Sequence, residues 1–280
     1  MLTLKTLTAY RAQTFRLQKT KKLRTVDEAI QFVDERGFVY FWPIKGIIMP
    51  SLWAGVAGDR PVADKHDDPG HVTWRWKDSM LGQRKWYYAK VLRKKATMIS
   101  LKVAPYFYAL TENFGDPTRD YILQHEQGLL SRESKAIYEA LLSKGAMHTI
   151  DLRRESRLTS KESDMRFNRA LEELQADFKI LPIGVAEAGA WRYAFIYDTV
   201  HHHYPDLINQ ARDISRKQAR AKLLELYLKS LGAIQERDVI KLFGWKQNET
   251  EAAIKEIKGI VRIKEIKGMK GEWIVSKELA

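Results

Sequence analysis

Residues Thr159–Asp198, TSKESDMRFNRALEELQADFKILPIGVAEAGAWRYAFIYD, contain the transition on which the fold turns. Thr159 and Glu162 have the spacing of a capping box, a hydroxyl for one free amide and a carboxylate for another. Phe167, Leu171 and Leu174 then recur at helical spacing, which predicts a helix running to about Ala176. Two runs of alternating or continuous apolar residues follow, Phe178 to Val185 and Trp191 to Asp198. The turn Glu187-Ala188-Gly189-Ala190 joins them, so they read as a β-hairpin.

Upstream, Lys135 to Leu142 reads as a helix with Ala136, Ile137, Ala140 and Leu141 on its apolar face, broken by Gly145. A short helix is predicted near Thr149 to Ser156. Three helices and a hairpin is the winged-helix order, in which the third helix usually enters a groove of DNA and the hairpin is the wing. The order recurs downstream. Arg216 to Leu231 is a helix with Leu224, Leu228 and Leu231 on one side, closed by Gly232. Glu236 to Phe243 is a shorter one, closed by Gly244. Asn248 and Glu251 cap a third through Ala253, Ile254 and Ile257, and Val261 to Lys267 with Glu272 to Ser276 form a hairpin around Gly268 to Gly271.

The N-terminal part is less regular. Thr25 and Glu28 cap a helix through Val26, Ala29, Ile30 and Val33, stopped by Gly37, and Phe38 to Ile44 reads as a buried strand. Glycines, prolines and aspartates between Gly55 and Gly70 predict loop. Ser79 to Lys95 is expected to be helical, Thr97 to Val103 a strand, and Pro105 to Asp120 mostly loop. The expected organisation is a basic N-terminal tail over 1–24, a degenerate winged-helix-like domain over 25–130, and winged helices over 131–215 and 216–280. The fold class is mainly α with small β-hairpins, an α+β chain of tandem winged-helix domains.

Composition narrows the partner. The 280 residues are 45% hydrophobic and 30% charged, ordinary for a chain that buries a core. No run approaches the roughly 18–20 apolar residues of a membrane span, and the basic N-terminus lacks the apolar stretch of a secretory signal. There is no cysteine, which removes disulfides, thiolate nucleophiles and thiolate metal sites, and fits a reducing cytoplasm. The formal net charge of +13 is concentrated at the ends. Met1 to Arg24 has seven basic residues and no acid, Arg216 to Ala280 has 15 basic and 9 acidic, and Thr25 to Ser215 has 26 of each. Such an excess points to an anionic partner, nucleic acid before membrane, with a merely basic soluble surface as the alternative.

The densest candidate patch is His71 to Lys102, where Trp74, Trp76, Trp86, Tyr87 and Tyr88 alternate with Arg75, Lys77, Arg84, Lys85, Lys90, Arg93, Lys94, Lys95 and Lys102. Cations anchor phosphates and aromatic faces stack on unpaired bases. On the expected helix Lys90, Arg93 and Lys94 share a face; the alternative is that Trp86, Val91 and Leu92 are core and the lysines only solvated. In the second unit Lys161, Arg166 and Arg169 are the candidate contacts, diluted by Glu162, Asp164, Glu172 and Glu173. In the third, Lys246, Lys255 and Lys258 on the last helix and Lys264, Lys267 and Lys270 in the hairpin are placed for backbone contact. His201, His202 and His203 are consecutive and point in different directions, so no metal site is expected. No nucleotide-binding glycine loop, zincin pair or serine elbow is present, and no cofactor is expected.

The passage Arg169-Ala170-Leu171-Glu172-Glu173-Leu174, the strand pair, and Tyr197-Asp198-Thr199-Val200-His201-His202-His203-Tyr204-Pro205-Asp206 resemble the bacterial winged-helix DNA glycosylases of the AlkZ and YcaQ type. Those proteins unhook alkylated bases and interstrand crosslinks. Ala219 to Leu231, Arg237-Asp238-Val239 and Gly271-Glu272-Trp273 are similar to the family's next winged helix, and Arg36 to Trp53 to its opening helix and strand. The resemblance implies a catalytic Gln-x-Gln or Gln-x-Asp on the strand after the first helix. The matching positions are Tyr40 and Trp42, which supply neither amide nor carboxylate. It also leaves no residues for the family's C-terminal β-barrel. If the chemistry has moved, Asp78 is the best remaining carboxylate, with a helix N-cap as its alternative role. Tyr40, Trp42, Trp74 and Trp76 are then core or the lining of a degenerate pocket. The expectation is a cytoplasmic, nucleoid-associated protein that binds double-stranded or damaged DNA without catalysis. An active glycosylase with a rearranged site and a winged-helix scaffold for protein partners are the two rivals.

Overall fold

The computed structural model describes residues 2–65, 67–189 and 192–280. It opens with helix α1 (Leu4–Thr14). The first unit follows as α2 (Val26–Arg36), β1 (Phe38–Tyr40), α3 (Leu52–Ala57), α4 (Val72–Met80), β2 (Tyr87–Lys90) and β3 (Ala96–Ile99). Two short helices, α5 (Ala104–Tyr108) and α6 (Asp120–Glu126), lead to the second unit. That unit comprises α7 (Arg132–Lys144), β4 (Met147–His148), α8 (Thr149–Glu155), α9 (Asp164–Ala176), β5 (Ile180–Ala186) and β6 (Ala194–Thr199). Helices α10 (Val200–His203) and α11 (Leu207–Ala211) connect it to the third unit: α12 (Arg216–Leu231), β7 (Ala233–Ile234), α13 (Glu236–Phe243), α14 (Gln247–Glu256), β8 (Ile260–Ile266) and β9 (Met269–Ser276).

Each unit holds a three-stranded antiparallel sheet, and the strand orders β1-β3-β2, β4-β6-β5 and β7-β9-β8 are the same arrangement three times. A short strand after the first helix pairs with the returning arm of the hairpin. Phe38 lies opposite Ile99, Met147 opposite Tyr197, and Ala233 opposite Val275. The hairpin's outward arm is bulged in the second and third units, between Pro182 and Gly184 and between Ile263 and Glu265. Residues Ala190 and Trp191 of the predicted second hairpin lie outside the described residues.

Two expectations are corrected. Within the expected basic tail, residues 2–14 are docked on the third unit. Leu2 and Leu7 are buried against Ile266, Trp273 and Val275 of the third unit, and Thr3 forms a parallel bridge with Lys267. Arg11 donates to the carbonyls of Leu231 (3.1 Å) and Ala233 (2.8 Å), and Thr14 to that of Ser230 (2.7 Å). These acceptors stand at and just beyond the C-terminus of α12, where carbonyls lack helical partners. The basic composition of the segment concealed how few apolar contacts are needed to dock it.

The helix expected over Ser79 to Lys95 is instead the end of α4, a turn, and strand β2. Aromatic residues at a two-residue period decide this. Tyr87 and Ala89 face the central core, while Trp86 and Tyr88 face the cluster around Phe41 and Trp76. Gly82 makes the turn at φ +77°, and a Cβ there would stand 2.7 Å from the Ile183 carbonyl oxygen of the second unit's hairpin. Backbone approaches backbone too closely for a side chain. Some helix starts also shift. A 3₁₀ turn precedes α9, and α14 begins at Gln247, where the Lys246 amide donates to Glu249 Oε2 at 2.9 Å.

One central core joins the units. Phe38, Tyr40 and Tyr87 come from the first, Phe178 and Leu181 from the second, and Leu223, Leu224, Tyr227 and Leu228 from α12 of the third. Each such apolar side chain, fully buried, contributes about 1.5–3 kcal/mol. The Tyr87 ring stacks on Phe178 at 4.4 Å, and the Tyr227 hydroxyl donates to the Ile48 carbonyl at 3.1 Å. Gly232 ends α12 at φ +76° because both the turn and the close pack of Leu279 and Tyr10 exclude a side chain there.

Candidate nucleic-acid interface

The strand that the resemblance marks for catalysis places Tyr40 in the apolar interior. Its ring is 1% exposed, and its hydroxyl reaches the Leu92 carbonyl at 3.5 Å. Burial holds its pKa well above the ordinary phenol value, with Arg93 opposing weakly, so it stays neutral. Trp42 is partly buried in an aromatic cluster, edge-on to Phe41 (5.0 Å) and Trp74 (5.7 Å). Trp76 is core and Trp74 is 40% exposed.

Asp78 is not an N-cap. It lies in the last turn of α4, 2.6 Å from Lys77 Nζ, and accepts from the Tyr193 hydroxyl at 3.0 Å. Lys77 is fully buried, with its ammonium over the faces of Trp74 (4.7 Å) and Phe195 (4.6 Å). It therefore faces protein rather than solvent. Burial lowers its pKa, with Asp78 pulling the other way.

Among the described residues, three of the expected phosphate contacts form ion pairs: Lys77 with Asp78, Lys90 with Glu172 (2.9 Å), and Arg166 with Glu133 (3.1 Å). The others are exposed and form none. They do not all gather in one place. Arg93, Lys94 and Lys95 form the tip between β2 and β3. Arg93 and Lys94 adopt the left-handed conformation (φ +54° and +55°) rather than standing on a helix face. That tip packs against α9 and α13. Arg169 lies one turn before Glu172, the partner of Lys90, and so on the face of α9 turned toward the first hairpin. Lys246 precedes α14 and follows Trp245, which borders the same groove as Arg93. Lys255 and Lys258 lie at the other end of α14, roughly 15 Å away, where Lys258 borders a separate depression with Asp213 and Glu256. Lys264, Lys267 and Lys270 belong to the third hairpin, whose turn adjoins α1. Arg75 stands on α4, Lys161 precedes α9, and Arg84 and Lys85 sit in the turn before β2.

Where the three units meet, the tip borders a groove of about 300 Å³. Arg93 comes from the first unit, Asp177 and Phe178 from the second, and Arg220 and Trp245 from the third. Trp245 stacks on Phe243 at 4.3 Å, with the Arg220 guanidinium 6.0 Å above its ring. Asp177, just past α9, has a raised pKa. Burial drives the shift, and Lys179 at 3.2 Å opposes it. Sequence reasoning missed Asp177, Arg220 and Trp245. They are scattered over three units, and only the Trp-Lys pair at 245–246 carries a local signal. The three histidines diverge: His202 Nδ1 is 2.7 Å from Asp198 Oδ2, while His203 lines a different cleft. Among the described residues no cluster is placed to hold a metal ion, and no helix is long and apolar enough to cross a membrane.

A mainly helical chain with three such sheets has the fold of a known DNA glycosylase. The structure is similar to Streptomyces sahachiroi DNA glycosylase AlkZ, with a TM-score of 0.60 and 11% identity, over 99% of this chain and 70% of that one. The family model described as AlkZ related matches residues 23–244, and the chain belongs to that family. A search of the curated proteins finds no match.

Proposed function

We propose that this protein is a DNA-binding, non-catalytic member of its family, with the three units acting as winged helices on duplex or damaged DNA. The observation that carries the reading is the Arg93-Lys94-Lys95 tip. Three consecutive cations there are exposed and without acidic partners among the described residues, and Arg93 lines the groove where all three units meet. Arginine and lysine there neutralise phosphates. The non-catalytic half rests on Tyr40 and Trp42. Glycosidic-bond hydrolysis needs a group that positions water or stabilises the developing oxocarbenium charge. A buried neutral phenol and a packed indole do neither.

A salt titration of binding to a fluorescent duplex tests the first half. Phosphate contacts give a log–log slope of about −0.9 per phosphate neutralised, and no affinity at low salt rejects DNA in favour of a protein-scaffold role. Incubation with a duplex carrying an alkylated purine, followed by alkaline cleavage, tests the second half, since base release rejects the non-catalytic reading. One observation favours that rival. Asp177 is a carboxyl lining the junction groove, with its pKa raised by burial against the pull of Lys179. A rearranged glycosylase would lose base release on Asp177→Asn.

A further inference from the structure

At the opposite end of the first sheet from the Arg93 tip lies a cleft of about 380 Å³, within the roughly 300–1,000 Å³ range of small-molecule sites. Two chain segments distant in sequence form it. The first unit supplies Tyr87 from β2, Arg84 from the turn before it and Lys102 from the turn after β3. The 203–210 connector supplies the facing wall.

The chemistry of the lining is specific. Tyr87 and Tyr204 stand 5.8 Å apart at 34°, and the Tyr204 hydroxyl is fixed to the Trp86 carbonyl at 3.0 Å, so its ring is held as a wall. The Tyr87 hydroxyl is buried without a hydrogen-bond partner. Arg84 and Lys102 are exposed at the rim, and neither forms an ion pair among the described residues. Arg84 is held at φ +52°, a conformation that costs an L-residue free energy. His203 is 8% exposed, and its pKa is lowered by burial and then by Arg84, leaving a neutral ring with one donor and one acceptor. Asp206 and Gln210, one helical turn apart on the connector, add an acceptor and an amide. The side chains of Arg84, Lys102, His203, Asp206 and Gln210 make no hydrogen bond among the described residues.

We propose that this cleft binds a nucleoside 5′-monophosphate unit, either free or as a nucleotide displaced from a DNA strand. Arg84 and Lys102 take the phosphate, with the arginine fork suited to two of its oxygens. Tyr204, backed by the buried Tyr87, bounds the flat base, and Asp206 and Gln210 meet its polar edge. The inference rests on the cleft alone and not on duplex binding by the Arg93 tip.

The test is calorimetric titration of the full chain with dAMP and with deoxyadenosine. dAMP is expected to saturate one site, and deoxyadenosine to bind at least ~10-fold more weakly because it lacks the charged phosphate. Arg84→Gln with Lys102→Gln, both at exposed positions, is expected to bring dAMP down at least ~10-fold, to the level of the nucleoside. Reversing the Arg93 tip to glutamates is expected to leave dAMP binding unchanged, which separates this site from the duplex surface. Displacement of dAMP by a short single-stranded oligonucleotide assigns the site to a strand, and failure to displace assigns it to the free nucleotide. Absence of saturable dAMP binding up to about 5 mM, equal affinity for dAMP and deoxyadenosine, or an unaffected double variant overturns the proposal.

Discussion

Lys77 Nζ lies 2.9 Å from the hydroxyl of Tyr193, joining the last turn of α4 to the hairpin of the second unit across 116 positions of sequence. The ammonium is fully buried, satisfied by Tyr193 and Asp78, and surrounded by aromatic faces. A charge placed this way is costly to bury and costlier to leave half-paired.

Lys77→Ala is therefore expected to destabilise the chain by about 3 kcal/mol, at the low end for a broken buried pair because Asp78 and Tyr193 retain partial solvent contact. Thermal unfolding should fall by roughly 6–12 °C. Lys77→Met, which keeps most of the volume, should cost less. The lysine's folded pKa is lowered, so the unfolded chain binds more protons, and this group's contribution to stability grows as pH rises toward its ordinary value. The methionine variant should lose that rise. Wild-type unfolding temperatures in Lys77→Ala would show that the contact carries no weight.

Reversing Arg93, Lys94 and Lys95 to glutamate is expected to weaken duplex binding for every sequence tested and to flatten the salt slope by about 0.9 per lost phosphate contact. Circular dichroism should be unchanged, because all three side chains are exposed. Anisotropy measured at two salt concentrations checks this, and unchanged affinity removes the tip from the DNA surface.

Leu7→Ala is expected to cost about 2–5 kcal/mol, the usual range for emptying a fully buried leucine site. Protease cleavage before Arg24 should accelerate as α1 comes loose. A segment that served only as a charged arm would show neither effect.

Alkaline titration gives a fourth expectation. Burial is the first cause of the raised pKa at Tyr87, Tyr197 and Tyr227. A raised folded pKa means that the unfolded chain loses these protons first. The stability these groups contribute is intact below the ordinary tyrosine value near 10 and is lost as pH climbs beyond it. Tyrosinate absorbance should appear together with loss of circular dichroism rather than ahead of it.

Much of the architecture was legible because local chemistry wrote it. Thr25 caps α2 by accepting from the Glu28 amide at 3.2 Å, and Gly37, Gly232 and Gly244 end their helices at positive φ. The first unit was harder to read. In Trp86 to Ala89 cations on either side hide a two-residue period, and only burial on both faces shows it. Lys77 reads as a phosphate contact by composition, yet an acid beside it and a tyrosine from another unit make it interior. The junction groove was invisible for a different reason. Arg93, Asp177 and Trp245 become neighbours only through tertiary packing around α12, and single-chain periodicity says nothing about that.

The clasp between α1 and the third unit has a consequence for biosynthesis. The hydrogen bonds of Tyr10, Arg11 and Thr14 reach acceptors 216 to 222 positions away, and Leu2 and Leu7 rest on β8 and β9 of the third unit. During synthesis α1 thus has no berth until the hairpin of the third unit has emerged, many seconds later at about 5–20 residues per second. Until then Leu2 and Leu7 lack the partners that bury them in the finished fold.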